Sequence, residues 1–349
     1  MPTLYDVAKH AGVSTATVSN VMTGAKHVRP EIQQRVLKSV KELNYTPLRT
    51  SKTKQHTPSK TLGIIMTQLD CVFFPLITTG IQKIASEFGY DISFYTTNYF
   101  LSTEKKHIET LVENNVAGII LDTVAPITDI EYFKYLSTLN NKGKKIPVVS
   151  IQADLTDFDI PSITLDSFQG GYMATNHLIE QGCKKIVSIT GPTAAGWAKD
   201  RLSGYKQCLT DNNLSFNSSY IYESDCSLSG GYQSTNFLLM NAFNFDGMVI
   251  QNDLMTIGAL KALKEHNYKI PEDIKLVGYD NVFISSLVSP SITSIHVPKQ
   301  RLGEEAARYV IRMIQGNPPS NLKMDLPLSL IKRQTTDATV PVNWDLFLV

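Results

Sequence analysis

The sequence predicts an α/β protein: a small all-α helix–turn–helix head, then a two-lobed body of doubly wound parallel sheets. Three observations carry this prediction. A capped three-helix pattern fills residues 1–48. From residue 61 onward, short apolar runs alternate with amphipathic stretches, in too many units for one sheet. Charge is also divided: residues 1–60 hold ten Lys and Arg against three Asp and Glu, a net of +7, while the 349-residue chain carries +1, which leaves −6 for the rest.

In the head, Thr3 and Asp6 form a capping box in which hydroxyl and carboxylate each satisfy a free amide of a helix start. Leu4, Val7, Ala8 and Ala11 follow on one helical face, and Gly12 supplies a sharp turn. Ser14 caps a second short helix whose Val18 and Val21 point inward. Thr15, Ala16 and Asn20 stay on its outer face, where a recognition helix meets base edges in the major groove. Pro30 opens a third helix with Ile32, Val36, Leu37, Val40 and Leu43 as its buried stripe. Spacing alone fits a DNA reader or a helical protein-docking domain. The basic charge favours DNA, whose phosphates such a head would neutralise.

In the body, strands are expected at 62–66, 92–95, 118–121, 148–151, 163–165, 185–189, 248–250 and 274–279. Helices are expected near 75–88, 104–113, 129–140, 170–181, 198–212, 253–266 and 301–315. Lobes of this type bind ligands beyond the carboxyl ends of their strands, and here also between them. No apolar run reaches the length of a membrane span, and residues 1–20 lack the apolar core of a signal peptide, so a cytoplasmic protein without a membrane role is expected. Cys71, Cys183, Cys208 and Cys226 show neither C-x-x-C spacing nor clustering with the seven histidines; they read as reduced, mostly structural thiols, with no metal. An enzyme on this fold would need a phosphate loop or a nucleophile motif. G-x-G-x-x-G, G-x-x-x-x-G-K-[ST] and G-x-S-x-G are absent, and Gly170–Gly171 opens a helix without the rest of a phosphate fingerprint, so neither catalysis nor a cofactor is expected.

The head, L-G-I-I from Leu62, G-G-Y-M-A-T-N-H-L-I-E-Q-G from Gly170, D-R-L-S-G-Y from Asp200, N-D-L-M-T-I-G-A-L from Asn252 and I-K-L-V-G-Y-D-N from Ile274 together resemble the LacI/GalR family of bacterial transcription regulators, in order from Thr3 to about Thr335. Each body motif is weak alone; in register with the head they are specific. The resemblance implies a dimer whose heads read the half-sites of near-palindromic operator DNA. It also implies a periplasmic-binding-protein-like body of two lobes joined by three crossovers. A small-molecule effector in the cleft (a sugar, sugar acid or sugar phosphate) would change the lobe angle and with it the spacing of the heads. The implied domains are 1–48 (helix–turn–helix), 49–60 (linker), 61–340 (body) and a tail at 341–349. Within the body, the first lobe takes about 61–161 plus 291–323 and the second about 162–290 plus 324–340. The common family pattern is repression of carbohydrate-utilisation genes relieved by a sugar-like inducer. The alternative is a carbon-control regulator driven by a phosphorylated carrier protein on the outer face of the body.

By position, Thr15, Ala16 and Asn20 match the family's base-contacting residues. Asn20 suits an adenine edge, Thr15 donates or accepts, and the Ala16 methyl suits a thymine methyl. Thr3, Ser14, Thr17 and Ser19 are placed for phosphates, which position the helix without specifying sequence; helix-surface solvation is the plainer account of Thr17. The linker departs from the family. Lys54 stands where a minor-groove wedging Leu is expected, and Lys cannot unstack a base step as an apolar wedge does. Weaker operator kinking follows, unless a short insertion–deletion pair gives that role to Leu48.

For the cleft, Asp70, Phe73 and Phe74 follow the first strand, where relatives place effector contacts; Phe73 or Phe74 either stacks on a sugar ring or belongs to the core. Arg201 aligns with an Arg that grips the effector, its planar fork suiting a carboxylate or vicinal hydroxyls. Asn252 and Asp280 match further effector positions, Asp253 is a candidate cap of the next helix, and Trp197 either flanks the ligand or lies on the lobe surface. Gln152 stands where relatives carry Asp. Loss of that charge beside Arg201 and Lys199 points to a sugar acid or phosphorylated sugar rather than a neutral hexose.

Overall fold

In a computed structural model the chain divides into two compact units, Met1–Pro58 and Ser59–Val349. The structure describes residues 2–23, 27–45, 59–68, 72–141, 143–241 and 243–341; Leu48, Lys54, Asp70, Cys71 and residues 342–349 lie outside the described residues.

In the first unit, α1 (Leu4–Ala11), α2 (Thr15–Thr23) and α3 (Pro30–Glu42) pack around Val7, Ala8, Ala11, Val18 and Val36. The capping box forms: Asp6 N donates to Thr3 Oγ1 at 3.3 Å, and Thr3 N donates to Asp6 Oδ2 at 2.7 Å. Gly12 closes α1 at φ 61°, and a Cβ there would meet nothing within 4 Å, so the site demands a left-handed backbone rather than room. Ser14 Oγ accepts from Thr17 N at 3.1 Å, and Pro30 sits in the first turn of α3. One residue of the expected stripe is corrected. Leu37 is 48% exposed and Ser39 is buried instead, because a residue three positions after Val36 keeps its face whereas the next one turns about 100° away. Ser39 Oγ satisfies itself on the Arg35 carbonyl at 3.0 Å.

The second unit opens with β1 (Thr61–Met66), α4 (Phe74–Glu87), β2 (Asp91–Thr96), α5 (Leu101–Glu113), β3 (Gly118–Leu121) and α6 (Ile130–Ser137). A small hairpin of β4 (Asn140–Asn141) and β5 (Lys144–Lys145) precedes β6 (Val148–Ile151) and β7 (Ser162–Leu165). Then come α7 (Ser167–Glu180), β8 (Ile186–Thr190), α8 (Gly196–Asp211), β9 (Ile221–Glu223), α9 (Leu228–Met240), β10 (Gly247–Ile250) and α10 (Asp253–Glu265). The unit closes with β11 (Lys275–Asp280), α11 (Ile284–Leu287), β12 (Thr293–His296), α12 (Lys299–Ile314), β13 (Lys323–Leu326) and β14 (Ser329–Ile331). Two six-stranded sheets result, β13-β7-β6-β3-β1-β2 and β14-β12-β11-β10-β8-β9. All pairings within them are parallel except that of β14 with β12.

Cover on both faces explains why the strands read as unbroken apolar runs. Leu62, Ile64 and Met66 pack with α4 and α12, while Ile65 packs with α5 and α6 on the other side. In the second sheet, Val249 and Val277 pack with α7 and α8, and Val187 and Ile189 with α9 and α10. Three helix pairs meet at backbone distance through reciprocal glycines. Gly80 faces the Gln300 carbonyl and Gly303 that of Ile77; Gly171 faces Arg201 and Gly204 faces Phe168; Gly231 faces Met255 and Gly258 faces Leu228. A Cβ at any of the six would lie 2.0–2.1 Å from that oxygen.

The chain passes between sheets three times, from β7 to α7, from β12 to α12, and from β13 to β14. Each passage leaves the carboxyl end of a strand, and β14 re-enters beside the carboxyl end of β12, with Ser329 opposite His296. The carboxyl ends of the two sheets therefore adjoin, and their amino ends form opposite poles. This corrects the expected lobe boundaries. β7, expected to open the second lobe, pairs with β6 and β13 in the first; β12 belongs to the second sheet and β13 to the first. A lobe ends where its last strand ends, near residues 166, 297 and 327, because parallel pairing keeps each strand with its sheet until the crossover. Among the described residues no helix is long and apolar enough to cross a membrane.

Candidate functional site

At the carboxyl ends of the second sheet, the glycine contact between α7 and α8 sets the backbone of Arg201. Its side chain is buried, the whole residue being only 5% exposed. The guanidinium carbon lies 3.5 Å from the Tyr279 ring centroid and 4.7 Å from that of Trp197, a cation held between two aromatic faces. Arg201 Nη1 donates to the Gln251 carbonyl at 2.6 Å, and Nη2 stands 3.8 Å from Asp280 Oδ1. Arg201 Nε is buried and has no acceptor among the described residues. Gln251 is itself fixed, donating to the Ala198 carbonyl at 3.0 Å and accepting from Gly191 N at 3.2 Å.

Asp280 and Asn281 adopt φ 95° and φ 50°, a left-handed turn that non-glycine residues rarely make. Lys299 holds it in place. Fully buried, its Nζ donates to the carbonyls of Asp280 (2.6 Å), Asn281 (3.1 Å) and Val297 (3.2 Å). Burial raises the Asp280 carboxyl above its ordinary range while Arg201 and Lys299 pull it down. Burial also brings Lys299 down to about 8, against the pull of Asp280 and Asp253. Asp253, beneath, accepts from Ser294 Oγ at 2.7 Å and Val282 N at 2.8 Å; burial and then the Asp280 charge push it to about 7.

The first sheet ends differently. Asp122, just after β3, accepts from Thr67 Oγ1 at 3.1 Å and from Gln152 Nε2 at 3.0 Å, and burial pushes it to about 7. Gln152, at φ 67° after β6, thus orients a carboxyl that sequence reasoning missed. Gln152 does not leave this edge without a carboxyl, since Asp122 stands at the end of the neighbouring strand, protonated up to about pH 7.

Other candidates take structural places. Phe73 and Phe74 are 5% and 6% exposed and form a T-shaped pair at 5.3 Å within the first-lobe core. Asn252, expected at the effector, is the cap of α10: its Oδ1 accepts from Met255 N at 2.7 Å and its Nδ2 donates to the Cys226 carbonyl at 2.8 Å. The cap considered for Asp253 therefore belongs to Asn252, and Asp253 is core. Trp197 is half-buried beside Arg201. Burial pushes the Cys183 and Cys208 thiols up to about 11 and about 12, as for inert structural cysteines.

In the first unit, Val18 is fully buried and so fixes the outward face of α2. Thr15 and Ala16 are exposed at its start, and Thr17, Ser19 and Asn20 are half-buried. The Thr3 hydroxyl donates to Asp6 Oδ2 at 2.7 Å, and the Ser14 and Thr17 hydroxyls lie 2.9 Å apart, so these groups hold helix starts. Among the described residues no group of three or more His, Cys, Asp or Glu is arranged to hold a metal ion.

A helix–turn–helix unit followed by a two-sheet, three-crossover binding body defines a class of DNA-binding transcription regulators. Residues 3–47 match the family described as bacterial regulatory proteins, lacI family, and residues 175–336 match a periplasmic binding protein-like domain. The chain is 31% identical over 336 residues to a ribose operon repressor of Halalkalibacterium halodurans, covering 96% of this chain and 97% of that protein. It is 30% identical to the HTH-type transcriptional repressor PurR of Mannheimia succiniciproducens over 96% of this chain and 98% of that one. Among solved structures it resembles the lac repressor dimer bound to operator and the anti-inducer ONPF (28% identity, TM-score 0.73, 96% of this chain and 99% of that chain). It also resembles a complex of the transcriptional regulator CelR with cellobiose (26% identity, TM-score 0.70, 96% and 100%). The chain belongs to the LacI family of bacterial regulatory proteins.

Proposed function

We propose that this chain is a homodimeric repressor whose heads read a near-palindromic operator and whose inter-lobe cleft takes a small neutral sugar that weakens DNA binding. The observation that carries the effector reading is Arg201, a buried guanidinium clamped between two rings with its Nε lacking a protein acceptor among the described residues. Asp280 and Asp122, one from each sheet, offer acceptors for hydroxyl protons, and the partly open Trp197 ring offers a face to a sugar. Arg201 already faces the Asp280 carboxyl at 3.8 Å, which disfavours an anionic ligand, so a neutral polyol replaces the sugar acid expected from sequence. The ribose repressor relative and the cellobiose-bound neighbour support the sugar class. A ligand bridging the sheets favours one lobe angle and thereby one spacing of the heads. In DNA recognition, Thr15, Ala16 and Asn20 read base edges.

The test is a thermal-shift screen of the protein against neutral sugars, sugar acids, sugar phosphates and purines. A concentration-dependent rise in Tm with a neutral sugar is the expected result, by linkage of binding to folding. A response to acids or phosphates alone would overturn the neutral-sugar assignment. Silence across the panel would overturn the cleft reading and direct attention to a partner on the outer surface.

A further inference from the structure

In the first lobe, α4 runs into β2 through residues 88–90 and α5 into β3 through residues 114–117, whereas the connection from α6 to β6 takes residues 138–147. The extra length is the β4–β5 hairpin, with Asn140 opposite Lys145 and Asn141 opposite Lys144. Its base is firmly built. Ile146 N donates to the Leu139 carbonyl at 2.8 Å, both residues are buried, and Asn141 Nδ2 donates to the Val112 carbonyl at 2.8 Å. Lys144 and Lys145 are exposed, and their stems line an apolar groove of about 250 Å³ against Pro147, Met313 and Ile314. Alkyl stems lying on apolar surface leave the ammonium groups to point into solvent.

The place of the hairpin gives these charges a meaning. It stands at the amino pole of the first sheet, where the chain arriving from the DNA-reading head enters β1 beside exposed Lys60. β1 and β6 flank β3, so their first residues lie two strand spacings apart, about 10 Å. The chain from the head enters the body at this end of the first sheet. Exposed Asp91, Glu113, Asp157 and Asp159 lie at the same end of the sheet, and Lys323 there pairs with Asp154, which leaves Lys144 and Lys145 as adjacent cations on the hairpin.

We infer that Lys144 and Lys145 form an accessory, sequence-independent contact to the phosphate backbone of DNA held by the head. The contact needs only the DNA-binding class of the chain and is independent of the effector.

The experiment measures binding of the full chain to a random-sequence duplex of about 40 base pairs by fluorescence anisotropy, as salt rises from about 50 to about 200 mM. For K144Q/K145Q the slope of log K against log salt should fall by about 1.8 per chain, about 0.9 for each lost phosphate contact, with about tenfold weaker binding at the lowest salt. K144R/K145R should keep the wild-type slope. K184Q/K185Q makes the same charge change at the amino end of β8, on the opposite pole, and should also keep it. An unchanged slope in K144Q/K145Q overturns the proposal. An equal loss in K184Q/K185Q overturns it too, since net charge alone would then explain the effect. The four lysines are exposed, and unaltered Tm values for the variants confirm that folding is not the variable.

Discussion

The two sheets of the body end in chemically different edges. The second sheet presents a buried ion pair, Arg201 against Asp280, with Lys299 under the Asp280 backbone, held by aromatic faces and carbonyls. Among the described residues the first presents two buried carboxyls held by neutral donors: Asp122 by Thr67 and Gln152, and Glu104 by Thr123, Val124 N and Tyr132. A buried ion is held hard, because losing one partner leaves the other stranded. A carboxyl between a hydroxyl and an amide adjusts by rotation or by taking up a proton. The comparison makes the second lobe the fixed half of the candidate site and the first lobe the adjustable half.

Breaking the fixed half should have the largest effect. Arg201→Ala strands Asp280 and should cost about 3 kcal/mol, read as a lower urea midpoint at unchanged m-value, together with loss of any sugar-induced rise in Tm. A stable variant with an intact response would remove Arg201 from the site. Gly171→Ala drives a methyl onto the Arg201 carbonyl and should cost about 1–3 kcal/mol by the same titration. Gly12→Ala in the head meets no atom and should cost only about 1–2 kcal/mol, through its left-handed backbone. If Gly12→Ala proved costlier than Gly171→Ala, close packing would not be what fixes the second lobe.

The adjustable half should show itself in pH dependence. Folded Asp122 holds its proton up to about pH 7, against an ordinary value of 3.8, so between those limits the folded chain binds more protons than the unfolded one. The contribution is fully present below about pH 4 and is lost as pH rises through about 7. Asp122→Asn should flatten the Tm–pH curve over that window while leaving the part due to Asp253. An unaltered curve would assign the dependence to other buried groups, Asp253 and Glu104 among them. Smallest is Thr3→Ala, which removes a cap and should cost the head about 1 kcal/mol, visible as faster hydrogen exchange in α1.

What was legible in the sequence was local. The capping box, Gly12, the Ser14 cap and most apolar strands depend on neighbours within a few positions, and each appears near its predicted place. β9 and α9 escaped because one is a three-residue edge strand and the other, L-S-G-G-Y-Q-S-T-N-F-L-L-M, has little amphipathic contrast. β7 was given to the wrong lobe because its sheet depends on pairing with β6 and β13, the latter far away in sequence. Asp122 was missed for the same reason, since it meets Gln152 across thirty positions. Asn252 and Asp253 are both residue types that cap helices, so sequence could not decide between them. One usable signal was overlooked: six glycines within helices, where glycine is disfavoured, announce close helix contacts.

Those glycine pairs have a mechanical consequence. Helices locked backbone to backbone make each lobe a stiff block, so compliance in the body is concentrated in three short crossover segments that act as one compound hinge. A displacement of an ångström where the carboxyl ends adjoin becomes a rotation of a whole block, and its arc is longest at the pole where the chain from the head comes in. The body is thereby a lever, with its short arm at the candidate site and its long arm at the amino ends of the sheets.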